Sequence, residues 1–247
     1  MIWLSLKQKL RNPFLVIGGL ILPVLILMTK VNALGNYQVR PDQNFADLYI
    51  GVSMMAGILL IALLGFPTLI AQRQNDGVLK RLKYFGVSTS KYLISELIAY
   101  LLVMVVSLII SMAVGVIFFK LHLPGILNLA SFMLHLIYAG LPVMLIGLLV
   151  TQIVRKTSYA VLINLIILIG LYYMMGIFGT PQLITIDQQF LTFSFPLTSI
   201  VHYEFYPIWI NHLLIHDKFL IVNTSVFVGL GLLNAIICLF RQNKHSH

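Results

Sequence analysis

Residues 48–71 read LYIGVSMMAGILLIALLGFPTLIA, an apolar run that contains no charged side chain. The hydrocarbon core of a bilayer is about 30 Å thick, and a helix needs roughly 20 apolar residues to cross it. Five other stretches of the chain have the same character, so the sequence predicts six transmembrane helices. The predicted spans are residues 14–28, 48–71, 92–119, 127–150, 159–178 and 219–240.

The whole composition is that of a membrane protein. Of the 247 residues, 60% are hydrophobic and 9% are charged, whereas soluble domains carry about 25% charged residues. We therefore predict an all-α, polytopic membrane protein with one transmembrane domain, residues 1–247, and no separate soluble domain. The single cysteine, Cys238, excludes a disulfide or a thiolate metal cluster within one chain.

The basic residues predict the orientation of the spans. The net charge is +9, but the lysines and arginines stand in short loops beside the spans and not in a nucleic-acid-binding domain. Twelve of the 16 fall on the same side as the N terminus, and the other side holds only Lys30, Arg40, Lys120 and Lys218. Because cytoplasmic loops carry the excess of lysine and arginine, we expect both termini in the cytoplasm. We expect the chain in the cell membrane, most simply the plasma membrane of a prokaryote.

Residues 1–13 predict an amphipathic helix in the membrane interface, because apolar side chains share one face and three basic ones lie toward the headgroups. A secretory signal peptide is the alternative interpretation, with Val31-Asn32-Ala33 as a cleavage-like site. Pro23 and Lys30 argue against it, since neither belongs to the signal-peptide pattern. Both interpretations place the N terminus inside.

The inner segment between the second and third spans, residues 75–91, reads NDGVLKRLKYFGVSTSK. Four apolar residues recur there at the spacing of one helical face: Val78, Leu79, Leu82 and Phe85. We predict a short cytoplasmic helix with Asn75 or Asp76 as its N-cap and Gly86 as its C-terminal stop. Two interpretations stand: the helix ties two spans together while its cations hold lipid phosphates, or it docks a soluble partner.

At this segment the sequence resembles the type-2 ABC exporter permeases, the membrane subunits of ATP-driven exporters. Their corresponding loop has an acid-rich start, then Gly-Thr-Leu, basic residues, a leucine and Pro-x-Ser. The matching run here is Asp76-Gly77-Val78-Leu79-Lys80-Arg81-Leu82, followed by Gly86-Val87-Ser88. The resemblance extends over nearly the whole chain, from the amphipathic start through six spans to a long last outer segment.

The resemblance implies a dimer with a second permease subunit, identical or homologous, and two ABC ATPase subunits on the cytoplasmic face. ATP and magnesium would then belong to the partner, and this chain would not itself be an enzyme. In agreement, the sequence contains no Gly-x4-Gly-Lys-Ser/Thr phosphate loop. The residues that we expect to dock the ATPase are Asp76, Gly77, Leu79, Arg81, Leu82 and Phe85.

The outer segment 179–218 is rich in aromatic residues. Tyr and Trp are enriched at membrane interfaces, so we predict either short outer helices, comparable to those of the family, or an anchoring aromatic belt. His202, His212 and His216 have a spacing that matches no metal motif, and we predict no metal site.

Polar residues inside the predicted spans are candidates either for the translocation pathway or for helix packing. They include Ser107, Ser111, Asn164 and Tyr172. Pro23, Pro67 and Pro142 are expected to kink their helices. Only Glu96 brings a charge into a predicted span, so a proton-driven carrier with a chain of buried acids is disfavoured.

These observations favour the permease subunit of an ATP-driven exporter for a drug, an antimicrobial peptide or a lipid-like substrate. One alternative is a membrane-embedded immunity or sensing protein that binds a toxic peptide through its outer segment. A second alternative, a membrane enzyme, is disfavoured because the inner loops contain no spaced pair of acids.

Overall fold

The computed structural model of the protein describes residues 17–40, 43–86, 88–154, 156–178 and 217–243. Within these ranges, six helices are long and apolar enough to cross a membrane. We number them as spans: span 1 is Ile17–Leu34, span 2 Phe45–Asn75, span 3 Thr89–Phe119, span 4 Ile126–Val154, span 5 Thr157–Met174 and span 6 Asp217–Asn243. In spans 3 and 6 the apolar windows are Lys91–Phe119 and Leu220–Ile237.

Two predictions fall outside the described residues. These are the interfacial helix of residues 1–13 and the outer helices or aromatic belt within 179–216. Several helices extend beyond the predicted spans, since span 1 continues to Leu34 and span 2 to Asn75. The helical backbone keeps its own hydrogen bonds satisfied, so a helix need not end where the hydrocarbon ends. Span 5 is shorter than predicted: it ends at Met174 and not at residue 178, and Gly176 has a φ of +73°.

Span 2 lies at the centre of the bundle. Of its apolar window, 89% is buried within the protein, against 28% for spans 1 and 5 and 11% for span 6. It packs against spans 1, 3, 4 and 5, whereas span 6 packs on span 4. A helix that is apolar on every side is suited to burial, and the run at 48–71 has this character.

Two spans contain a π-helical segment. Residues Ile17–Ile21 and Ile61–Gly65 are π-helical, and they precede the α-helical segments Leu22–Leu34 and Phe66–Asn75. Each of these α-helical segments has a proline in its first two positions. A π turn closes its hydrogen bond over one residue more than an α turn. The side chains after the π turn therefore point in other directions than they would in a continuous α-helix.

The outer loop between spans 1 and 2 contains two short strands. Strand β1 (Gln38–Arg40) pairs antiparallel with β2 (Gln43–Asn44), and the Tyr37 and Phe45 rings stack at 5.5 Å beside them. The all-α fold class is as predicted, and this small hairpin is an addition within one loop. Five residues of strand carry too little hydrophobic pattern for the sequence to indicate them.

Loops that were predicted to share one side of the membrane do lie at one end of the bundle. At the predicted inner end, the Asn75 side-chain amide donates to the Thr157 hydroxyl at the start of span 5. At the predicted outer end, the Asn36 amide donates to the Phe119 carbonyl, 3.2 Å away. The orientation of the bundle, with its inner end in the cytoplasm, stays a prediction from the basic residues.

Candidate functional site

The inner segment folds as a short helix, Val78–Tyr84, which we call the inner helix. Span 2 ends at Asn75, and the Asp76 N–H donates back to the Gln72 carbonyl at 2.8 Å. Gly77 then takes a φ of +67°, a left-handed conformation that glycine adopts without a Cβ penalty. The turn at Asp76 and Gly77 therefore separates the inner helix from span 2.

This arrangement corrects the predicted start of the inner helix. Asn75 and Asp76 were expected to be its N-cap, but Asn75 is the last residue of span 2 and Asp76 is the C-cap of that span. The first helical hydrogen bond of the inner helix runs from the Arg81 N–H to the Gly77 carbonyl, at 3.1 Å. The sequence shows capping residues here, but two helices meet at this point and it does not show which of them is capped.

The end of the inner helix lies close to the predicted stop. The inner helix ends at Tyr84, and Gly86 has a φ of +73°. Two residues later, the Ser88 hydroxyl accepts a hydrogen bond of 3.1 Å from the Lys91 N–H and caps span 3. The connection between the inner helix and span 3 is therefore short.

Arg81 is tied into the turn before it. Its guanidinium donates to the Asp76 carbonyl at 2.7 Å, and its own carbonyl accepts from the Phe85 N–H at 3.2 Å. The carbonyls at a C-terminal helix end carry partial negative charge and lack helical partners, so a guanidinium is a suitable donor there. Arg81 thus stabilises the orientation of the inner helix relative to span 2.

The exposed part of the inner segment is aromatic. Tyr84 is 89% exposed and Phe85 82% exposed, whereas Val78 and Leu82 are half-buried. Asp76 and Arg81 are also exposed, and Gly77 is half-buried. The side chain of Leu79 lies outside the described residues. Of these residues, the docking prediction omitted the half-buried Val78 and the exposed Tyr84, and the spacing of Tyr84 does not fit the apolar face.

The predicted outer end contains a buried carboxyl group, that of Asp47. Asp47 is 0% exposed. Its oxygens accept from the Asn44 N–H at 2.8 Å and the His122 N–H at 3.1 Å, and one lies 3.0 Å from the His122 Nδ1. Asp47 therefore ties the start of span 2 to the turn between spans 3 and 4. The Asn44-x-x-Asp47 spacing before an apolar run is a capping-box pattern that could have indicated it.

The four polar candidates inside the spans are all buried, and each donates to a backbone carbonyl. Ser111 bonds to the Ser107 carbonyl of its own helix at 2.8 Å, and Ser107 donates to the Gly19 carbonyl of span 1. Asn164 donates to the Leu63 carbonyl at 3.0 Å, and the Tyr172 hydroxyl donates to the Ala56 carbonyl at 2.7 Å. Three of the four hydrogen bonds join different spans, as helix packing requires.

Glu96 is the acid that lies within a predicted span, and it is 3% exposed. The Tyr92 hydroxyl, one turn earlier on span 3, forms a hydrogen bond with its side chain. Arg73, near the inner end of span 2, is close enough to interact electrostatically with Tyr92. Glu96 is therefore part of a polar cluster near the predicted inner end, and it does not lie at mid-span.

Six apolar helices, with a short helix between spans 2 and 3, define a multi-pass membrane protein. Residues 15–238 match the family model of the ABC-2 family transporter protein. The chain therefore belongs to the ABC-2 transporter family, as the resemblance predicted. Members are membrane components of ABC-type transport that are not themselves catalytic and generally work with an ABC ATPase. No curated protein and no solved structure matches the chain.

Proposed function

We propose that this chain is the membrane-spanning subunit of an ATP-driven exporter, and that its inner helix docks a separate ATPase subunit. The assembly would contain two ATPase subunits, which bind ATP and magnesium, and a second permease subunit, identical or homologous. The cargo would be a drug, an antimicrobial peptide or a lipid-like molecule that leaves the cytoplasm or inner leaflet. Family membership supports the transport role.

The exposed aromatic pair carries the docking part of the proposal. Large apolar side chains that project together from a surface mark sites of interaction with a partner or a membrane. Tyr84 and Phe85 project from a segment that also exposes Asp76 and Arg81. Aromatic residues and arginine are the types that contribute most at protein interfaces. A protein partner with an apolar pocket and polar rim fits this surface.

The connections of the inner helix suggest how a push on it would reach the spans. On one side, Arg81 bonds to the carbonyl at the end of span 2. On the other side, span 3 is capped by Ser88 only two residues after Gly86. Short, hydrogen-bonded connections move with the helix. ATP-driven movement of the partner would therefore be passed to the central span 2 and its neighbour span 3.

The experiment is affinity purification of the full chain from its native membranes, with mass spectrometry of the proteins that accompany it. We expect an ATPase with a phosphate loop to accompany the native chain. Phe85→Glu should reduce that association about tenfold or more, since a buried interface aromatic is commonly worth 2 kcal/mol or more. Phe85→Tyr, which keeps the ring, should retain most of it.

Leu123→Glu is the matched control, because Leu123 is also exposed (54%) but lies in the outer turn between spans 3 and 4. It places the same charge at the opposite end of the bundle and should leave the association unchanged. The docking proposal is wrong if Phe85→Glu retains full association, or if both variants lose it equally. A native chain that brings down no ATPase would contradict the exporter assignment itself.

A further inference from the structure

Three spans contain an internal proline, and each proline removes a hydrogen bond from its own helix. A proline has no N–H to donate to the carbonyl four residues earlier. For Pro23 that carbonyl belongs to Gly19, for Pro67 to Leu63 and for Pro142 to Tyr138. In hydrocarbon no water can replace the missing donor, so a partner must come from the protein.

In every case the carbonyl four residues before the proline accepts a hydrogen bond from a side chain of a different span. Ser107 of span 3 donates to the Gly19 carbonyl. Asn164 of span 5 donates to the Leu63 carbonyl at 3.0 Å, and Asn223 of span 6 donates to the Tyr138 carbonyl at 3.0 Å. All three donor side chains are 0% exposed. One external donor is thus present at each of the three prolines inside the described spans.

The two asparagines act as donors only. Their Oδ1 atoms are buried and have no hydrogen-bond partner in the described part of the chain. Burying half of an amide without a partner is costly, so packing alone would favour an apolar side chain of similar size. The presence of an amide at Asn164 and Asn223 is explained by the carbonyl that its NH₂ group satisfies.

Glycines allow the close approach at two of the prolines. A Cβ on Gly147 of span 4 would stand 2.5 Å from Pro67 Cγ and 3.3 Å from the Leu63 oxygen. A Cβ on Gly57 of span 2 would overlap Pro23 Cγ and stand 3.2 Å from the Gly19 oxygen. Two separate sites therefore repeat one arrangement, in which a proline packs on a glycine and a third span donates to the carbonyl.

Two other buried polar side chains of the bundle donate to a carbonyl of a neighbouring span that no proline faces, and they serve as comparison positions. Tyr172 donates to the Ala56 carbonyl, and the residue four positions later is Leu60. Asn234 donates to the Leu145 carbonyl at 3.2 Å, and the residue four positions later is Leu149. These contacts join spans without a proline at either place.

We propose that Ser107, Asn164 and Asn223 are positioning residues that replace the hydrogen bonds removed by the three prolines, and that they set the geometry of three hinges. The hinge of span 2 has the widest consequence. It lies between the outer end, fixed through Asp47, and the segment Phe66–Asn75 that leads to the inner helix. Asn164 therefore positions the part of span 2 that carries the inner helix. The inference does not depend on the proposed function.

A double-mutant cycle at Asn164 and Pro67 tests the inference by equilibrium unfolding of the full chain in detergent–lipid micelles. Pro67→Ala restores an N–H that can bond to the Leu63 carbonyl, so the donor from span 5 becomes dispensable. Asn164→Ala should lower the folded-to-unfolded ratio about threefold or more in the native background. In the Pro67→Ala background the same change should lower it less than about 1.5-fold, a coupling that unrelated sites do not show.

Tyr172→Phe serves as the control. It also removes a hydrogen bond between spans 5 and 2, but the carbonyl that accepts this bond has no proline four residues later. Its effect should be equal in both backgrounds. If Asn164→Ala does not accumulate as folded protein, the double variant with Pro67→Ala should restore it. Ser107→Ala combined with Pro23→Ala repeats the test at span 1. Equal losses in the native and alanine backgrounds at both hinges would overturn the proposal.

Discussion

At the scale of single residues, Asp47 shows how much one buried side chain can organise. It closes the N-terminal turn of span 2 through the Asn44 N–H, and it also satisfies the backbone N–H of His122 seventy-five residues away. An unpaired N–H at a helix start would otherwise need water, and here it has the Asp47 carboxyl group, which is itself 0% exposed. The outer ends of spans 2, 3 and 4 therefore depend on this carboxyl group.

Asp47→Ala should consequently destabilise the folded chain by about 1–3 kcal/mol, because it removes the acceptor of two part-buried backbone N–H groups. Asp76→Ala removes an exposed carboxyl group and should change the free energy of unfolding by less than about 0.5 kcal/mol. Denaturant unfolding of both purified variants measures the difference. Equal stability of the two variants would show that the three contacts of Asp47 make no net contribution to the free energy of unfolding.

At the scale of elements, the turn between span 2 and the inner helix depends on one glycine. Gly77 has a positive φ, and a Cβ placed on it would meet nothing within 4 Å. A substitution there is therefore strained by backbone conformation alone. By contrast, Gly170 also has open space around a Cβ but no positive φ, because it lies within the helix of span 5.

Gly77→Ala should cost about 1–2 kcal/mol, the penalty of a left-handed conformation for a residue with a Cβ. Gly77→Asn should cost less, since asparagine enters this region more readily. Gly170→Ala should be neutral or slightly stabilising, because alanine favours helices over glycine. Thermal unfolding of the three variants gives the order of their stabilities. If Gly170→Ala lowered the stability as much as Gly77→Ala, the cause would be packing and not backbone strain.

At the scale of the whole molecule, the bundle places its predicted inner and outer loops at opposite ends. Cysteine labelling of intact cells tests the predicted orientation in a Cys238→Ala background, which removes the only native thiol. Lys120→Cys and Ser158→Cys are both exposed positions. A membrane-impermeant reagent should label only Lys120→Cys, and Ser158→Cys should react after permeabilisation. Labelling of Ser158→Cys in intact cells would reverse the topology.

Much of the secondary structure could be predicted, because a membrane span needs only length and apolar character. The inner helix was also predictable from the spacing of Val78, Leu82 and Phe85, although its N-cap was not. The interpretation went wrong at Asn75 and Asp76 because the same residues can end one helix or begin the next. The hairpin at Gln38–Asn44 was missed because strands of two and three residues carry too little pattern.

The partners of the polar side chains could not be predicted from spacing at all. Asn164 and Leu63 are 101 residues apart, and Ser107 and Gly19 are 88 apart. Nothing local distinguishes Ser107, which reaches another span, from Ser111, which bonds within its own helix. The prolines were visible in the sequence. The side chains that donate to the carbonyls left without a partner depend on which spans become neighbours.

The sequence by itself determined that this is a membrane protein with six spans, a basic inner segment and a family-like loop at Asp76–Leu82. These follow from hydropathy, charge and local motif, and each can be judged within a short window. Only the tertiary structure decided that span 2 is central, that Asp47 is buried, and that the three proline hinges receive donors from spans 3, 5 and 6. In hydrocarbon, apolar surface alone does not select neighbours. Close packing and hydrogen bonds between distant residues do, and they exist only in the folded bundle.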